Sequence, residues 1–458
     1  SYGVSFWTGK HALYEVNGAG MLFKSNFQML ASLKAGNISQ FALDEGTNHF
    51  DSKETASTVS SLLGNLSAST PPIEADRYAS PTDRLLSFNI LRKIRKDVTL
   101  KGNIGYSYAK SQYDYSLTRS YADAENNIVI AQEYSPQSTV HRPSLQLEYK
   151  DNSDKTYLVN TLSGVGSFLT SELPTSENGM LFNQKQTMRE FYLYNKFSTL
   201  WHHKDLRWSL ASVVSYQGSP MGKIALDKEN EDAVVQNANG HSFRTENTLS
   251  VSKKHRNSRI YLPILLNYYM DKVQTTLHPT DESNDVSMQN LRMALAPQYE
   301  YSHPQYRYVF RLEVPMRMDY IAYRDHMTAS SSGSWYYSIC PSMYCYYKLT
   351  SRSVLRTNLF YARTFGDILD FFKSPIRIND TSMKIGSGIL ADNKSLNASL
   401  HYDYKIPLKM WFFNADILYN QERSNILTSQ DASNTLVTMS KIYAPNTARS
   451  LVGQVGIT

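Results

Sequence analysis

The sequence predicts an all-β fold, a large antiparallel β-barrel that crosses a membrane with its strands, and three observations predict it. Apolar residues recur at every second position along runs long enough to cross a bilayer, the period of a strand with one face buried in an apolar medium. Only 19% of the 458 residues are charged, below the roughly 25% usual for soluble domains. Aromatic residues reach 12%, and 33 of them are tyrosine, whose apolar ring and wet end suit membrane interfaces and half-buried strands.

The alternation is read along the chain. It begins at 86–90 and 98–108, returns at 206–216, and is strongest in the second half. Leu291, Met293, Leu295, Pro297, Tyr299 and Tyr301 alternate with Arg292, Ala294, Ala296, Gln298 and Glu300. From Tyr306 to Tyr320 one face carries Tyr308, Phe310, Leu312, Val314, Met316 and Met318, the other Arg307, Val309, Arg311, Glu313, Pro315, Arg317 and Asp319. A helix through that segment would scatter charge all round itself. Trp335, Tyr337, Ile339, Pro341, Met343, Cys345 and Tyr347 continue the pattern, and 396–404 closes it. Several runs reach the ~9–11 residues that a tilted strand needs to cross a bilayer.

Between the runs lie short polar turns, at 93–97, 202–205 and 302–305, and long polar segments, at 43–83, 173–185, 218–242, 278–285 and 365–393. Tight turns roughly alternating with extended loops are the asymmetry of outer-membrane barrels, with the long loops outside the cell. Sixteen or seventeen strands are legible, and no linker divides the chain. One barrel domain over 1–458 is therefore expected, in the Gram-negative outer membrane with lipid as its surroundings. A sandwich or propeller would use shorter strands, and no blade repeat is present.

Other classes fall away. No apolar run approaches the ~18 residues of a transmembrane helix, and mean hydropathy is −0.43. A net charge of +6, evenly scattered, is no nucleic-acid footprint. Cys340 and Cys345, at an odd spacing, point to opposite faces of a strand and cannot bridge each other.

No catalytic constellation stands out, and neither an enzyme nor a cofactor is expected. His202 and His203 adjoin on a strand end and point apart. The acid-rich stretches at 227–232 and 281–285 lack the order of a calcium loop. The charged face is more informative: Arg292, Glu300, Arg307, Arg311, Glu313, Arg317 and Asp319 must point into the lumen, because a midplane arginine facing lipid costs about 2–4 kcal/mol. They are the candidate lining of a ligand route.

The segment LLGNLSASTPPIEADRY, ending in Pro71-Pro72 and Arg77-Tyr78, is followed by the strand pair RLLSFNILRKIRKDVTLKGNIGYSYAKSQYDYS. Later come YLVNTLSGVGSF, REFYLYNKFSTLW and the turn HHKDLRW. These stretches resemble the barrels of Bacteroidetes TonB-dependent receptors that carry an N-terminal carboxypeptidase-regulatory-like domain. The resemblance implies a 22-stranded barrel occluded by a plug, import of a nutrient ligand with energy delivered through TonB, and a surface lipoprotein as a further partner. It also implies that the chain lacks the plug before Ser1 and, ending in Gly456-Ile457-Thr458, the usual terminal aromatic. The rival expectation is a structural or adhesive surface barrel without transport, separable by the width of the lumen.

Overall fold

The computed structural model describes residues 2–7, 12–43, 45, 58–64, 66, 73–74, 77–122, 127–153, 156–177, 179–228, 232–380, 382–433 and 436–457. Pro71 and Pro72 of the resemblance motif and 229–231 of one acidic stretch lie outside the described residues. Among the described residues, twenty-five strands form one sheet.

In chain order the strands are β1 Tyr2–Trp7, β2 Leu13–Lys24, β3 Phe27–Gly36, β4 Ser80–Arg95, β5 Val98–Gln112, β6 Tyr115–Ala122, β7 Asn127–Tyr134 and β8 Gln137–Asn152. Then follow β9 Thr156–Glu177, β10 Met180–His203, β11 Leu206–Lys228, β12 Val234–His255, β13 Ser258–His278, β14 Glu282–Leu295 and β15 Gln298–Ser302. The rest are β16 Tyr308–Glu313, β17 Met316–Asp325, β18 Ser330–Ile339, β19 Ser342–Lys348, β20 Ser353–Phe365, β21 Ile376–Arg377, β22 Ser382–Ile385, β23 Asp392–Ile406, β24 Trp411–Ser433 and β25 Leu436–Ile457.

Three pairs are single staves interrupted at a proline. β14 faces β17 and β15 faces β16 in one unbroken register, with Arg292 opposite Asp319 and Glu300 opposite Arg311. β17 faces β18 and β16 faces β19 likewise, with Met316 opposite Ile339 and Glu313 opposite Ser342. Joining these pairs and setting aside the β6–β7 hairpin, β21 and β22 leaves eighteen antiparallel staves among the described residues. No ladder joins β1 to β25 among them.

The sheet wraps round its own interior. The segment after β20 reaches β10 through Asp380 N to Gln184 Oε1 (3.2 Å), β12 through Arg377 N to Gln236 Oε1 (3.0 Å), and β14 through Ser374 N to Asn284 Oδ1 (3.0 Å). On its other side β22 lies parallel to β25. One short segment touches staves from distant parts of the sheet only if the sheet curls into a barrel about it.

Side chains sort by face as the alternation requires. Asn103, Ser107, Gln146 and Ser163 are buried on the inner face, while Leu86, Ile104, Leu145, Leu162, Leu193, Ile264 and Ile417 stand exposed on the outer. An apolar outer belt over a polar interior is stable only in lipid, and strands cross lipid only as barrels, which leave no open edge. The wall is that of a large transmembrane β-barrel of the Gram-negative outer membrane.

Three sequence expectations need correction. The segments at 173–185 and 218–242 are not loops: β9 runs to Glu177 before β10 starts at Met180, and β11 runs to Lys228. These hairpins project beyond the apolar belt, so their outer face meets water, while their inner face buries glutamines (Gln184, Gln186) as well as apolar residues (Met188, Ile224, Leu226) against the inserted segments. The apolar period therefore fades although the ladder continues. The segments at 43–83 and 365–393 are not wholly external either. Each sends apolar residues into the lumen, as described next. The strand read from Tyr306 to Tyr320 is also shorter and divided, starting at Tyr308 and interrupted at Val314-Pro315.

Candidate lumenal site

The lumen has three levels, set by distance from the tight turns. At the level farthest from them sits an apolar stopper. Helix α1 (Thr58–Leu63) buries Val59, Leu62 and Leu63, and the segment after β20 buries Ile368, Phe371, Phe372 and Ile376. They pack on Met188, Ile224, Leu226, Val273, Val286 and Ile321 of the wall, and Phe371 stacks on Tyr323 with ring centroids 4.0 Å apart. The wall makes room for α1 with glycine: a β-carbon on Gly222 would fall 2.7 Å from Val59 Cγ1, and one on Gly240 would fall 3.1 Å from Val59 Cγ2. No larger residue permits that approach.

Polar contacts fix the stopper in place. Gln186 Nε2 donates to Gly64 O (2.7 Å) and its Oε1 accepts from Leu66 N (2.9 Å). Asp370 accepts from Lys441 Nζ (2.5 Å) and from Ala391 N (3.1 Å). Asp367 caps the short 3-10 turn Ile368–Phe371, its Oδ1 accepting from Leu369 N at 3.0 Å. Burial, and then the nearby Asp370 carboxylate, push the Asp367 carboxyl above the usual carboxylate range.

At the middle level lie most of the charges foreseen from sequence. Asp319 is fully buried and clasped by Arg292 Nε (2.6 Å) and Arg317 Nη2 (3.3 Å). Arg317 Nη1 also donates to Arg363 O (3.0 Å). Lower down, Arg311 holds Glu300 Oε2 through Nε and Nη2 (3.0 and 2.8 Å). Glu313 joins Arg311, Tyr344, Asn358 and Asn397 in lining a cavity of about 650 Å³. Arg307 departs from the set: it is exposed in the turn between β15 and β16, where its carbonyl accepts from Lys348 N (2.7 Å).

Near the tight turns a second cavity of about 680 Å³ is lined by His202, Lys204, Arg207, Lys254, Arg259 and Arg311, with Asp205 and Glu300 among them. Cations outnumber carboxylates, so this rim attracts anionic groups. Across the wall, His401 Nε2 meets Asp403 Oδ2 (3.0 Å), its Nδ1 contacts Asp416, and Arg356 Nη1 donates to Asp403 (2.7 Å). Among the described residues no group of three or more His, Cys, Asp or Glu side chains is placed to hold a metal ion.

The stopper and the His401 cluster were not read from sequence. The apolar pairs Leu62-Leu63 and Phe371-Phe372, inside otherwise polar segments, were the available signal for the first. For the second it was Arg356, His401, Asp403 and Asp416, charges placed at alternate positions on neighbouring strands.

No family model matches the chain, and no curated protein does. Among solved structures it is similar to the ferric yersiniabactin uptake receptor FyuA from Yersinia pestis, at 12% identity and a TM-score of 0.47 over 83% of this chain. The chain spans 60% of that receptor's length. It is also similar to the siderophore receptor PiuA from Acinetobacter baumannii, with 8% identity, TM-score 0.38, and coverage of 99% of this chain and 81% of that one. A third is the ferric-catecholate import receptor Fiu from E. coli K12, with 8% identity, TM-score 0.33, and coverage of 97% and 79%. All three are receptors.

Proposed function

We propose that the chain is the barrel of a TonB-dependent outer-membrane receptor that imports a nutrient ligand, of the Bacteroidetes type with an N-terminal carboxypeptidase-regulatory-like domain. The observation that carries this reading is the construction of the lumen. The eighteen staves among the described residues surround a space too wide for wall side chains to fill, unlike the ~8-stranded barrels that pack themselves shut. Here the chain closes that space with two inserted segments resting on a polar, charged wall. A purely structural or adhesive barrel has no need of a wide charged lumen behind a stopper.

In this reading Arg292, Arg311, Glu300, Glu313, Arg317 and Asp319 form the route below the stopper, and Arg307 marks its exit at the tight-turn rim. The ligand is a nutrient small enough for the lumen, and a surface lipoprotein is a further partner. The test needs no ligand. The full-length protein in outer membranes is treated with formaldehyde in cells with and without TonB, and a cross-linked species containing both proteins is expected. Its absence, with the barrel correctly assembled, contradicts TonB coupling.

A further inference from the structure

A row of prolines crosses the wall. Pro263, Pro297, Pro315 and Pro341 sit on four successive staves, and each carbonyl accepts one bond from the stave that follows: from Ala296 N (3.1 Å), Val314 N (3.0 Å), Cys340 N (2.9 Å) and Tyr361 N (2.9 Å) respectively. Proline has no N–H, so the return bond of each pair cannot form. Four adjacent interfaces are thus thinned along one line.

Beyond that line the last interface comes apart. Below it β19 and β20 pair from Lys348–Val354 to Ser342–Phe360. The same register continued upward would set Arg363 opposite Ile339 and Phe365 opposite Tyr337. β18 instead pairs with β17 alone, β20 with β19 and β23 alone, and the two strands run apart. Side chains replace the ladder. Arg363 Nη1 donates to Tyr337 O (3.1 Å) while its Nε and Nη2 hold Asp392 at 2.8 Å each, and the guanidinium lies over the rings of Tyr336 and Phe365. Arg317 Nε and Ser338 Oγ beside it are buried without a hydrogen bond.

An unpaired strand edge facing hydrocarbon costs several kcal/mol for each unsatisfied backbone group, so a seam there calls for a reason. What flanks it supplies one. On the lipid side Tyr337 and Ile339 are 67% and 59% exposed, and Trp335 next to them is an aromatic of the kind that marks the outer interface. On the lumenal side Tyr336 and Phe365, 4.7 Å apart, pack against the buried apolar cluster that the stopper forms with the wall. An apolar surface therefore runs from the lipid, through the seam, to the middle of the barrel.

We propose that the upper β18–β20 seam is a lateral portal through which a lipid acyl chain of the outer leaflet reaches the lumenal aromatic cluster, with Arg363 and Asp392 as its latch. The upper parts of β17 and β18 flex on the proline row while the β13–β14 ladder holds β14 in place, and the free edge of β18 is the opening side. The proposal rests on the transmembrane barrel and not on TonB-driven import, so either reading can fail alone.

The test uses the full-length protein with Cys340→Ser and Cys345→Ser, carrying one bimane at Tyr336→Cys, in phosphatidylcholine vesicles containing doxyl-labelled acyl chains. Quenching is expected to be weak with Arg363 present and to rise roughly two-fold or more in Arg363→Ala as the open population grows. A bimane at the outward-facing Leu400→Cys is quenched alike in both. Asp392→Asn serves where Arg363→Ala does not assemble. Quenching at position 336 that matches the parent in a correctly assembled latch variant overturns the portal.

Discussion

Lys441 on β25 stands 2.5 Å from Asp370, whose side chain is 1% exposed, and so ties the segment after β20 to the wall. Removing one partner of a buried pair strands the other, at a cost of about 3–5 kcal/mol. Lys441→Met is therefore expected to release 366–391 while leaving the barrel intact. Limited proteolysis should cut that segment many times faster, with the heat-modifiable gel band unchanged.

Asp367 makes docking of the same segment depend on pH. Burial, aided by Asp370, raises its carboxyl above the ordinary value, so the docked segment favours the protonated form. Stability of docking is complete below the ordinary Asp pKa and falls as pH rises through that value to the raised one. Hydrogen exchange across 366–391 should quicken from acid to neutral pH, and Asp367→Asn should flatten the profile. An exchange profile equally steep in the variant would contradict the assignment.

The glycine notch sets a steric prediction. Gly222→Val places methyl groups where Val59 and Leu63 of α1 now lie, and overpacking of this kind costs about 1–3 kcal/mol or expels the helix. A fluorophore on α1 should gain mobility in Gly222→Val and keep its parent anisotropy in Ala211→Val, a wall substitution away from the notch.

Asp319 holds two arginines. Asp319→Asn leaves both cations at the lumenal wall without their carboxylate, which should lower stability by roughly 3 kcal/mol. It should also move the ion selectivity of any open form toward anions. Denaturant unfolding reads the first effect and a reversal potential the second.

The wall was legible in the sequence because lipid outside and water inside impose a strict period of two. Arg292 and Asp319, or Arg311 and Glu300, could be assigned to the lumen from parity alone, and the structure brings each pair together. Apolar parity fades where the outer face meets water and the inner face buries polar side chains such as Gln184 and Gln186, which is why the extended β9–β10 and β11–β12 hairpins read as loops. It is equally silent about loops that fold inward: Phe371 and Phe372 owe their burial to a wall contributed by strands far away in sequence. Arg307 was misplaced for a local reason, since the strand begins one residue later at Tyr308.

The central claim is that a lumen wide enough to conduct is closed by the chain's own two inserted segments, and planar-bilayer recording of the chain 1–458 before and after deletion of both 58–66 and 366–391 tests it most directly. The account predicts little current from the parent and stable, porin-scale openings from the deletion, as expected of a barrel of about 16–18 strands or more. A deletion variant that assembles in the membrane yet stays closed would contradict it.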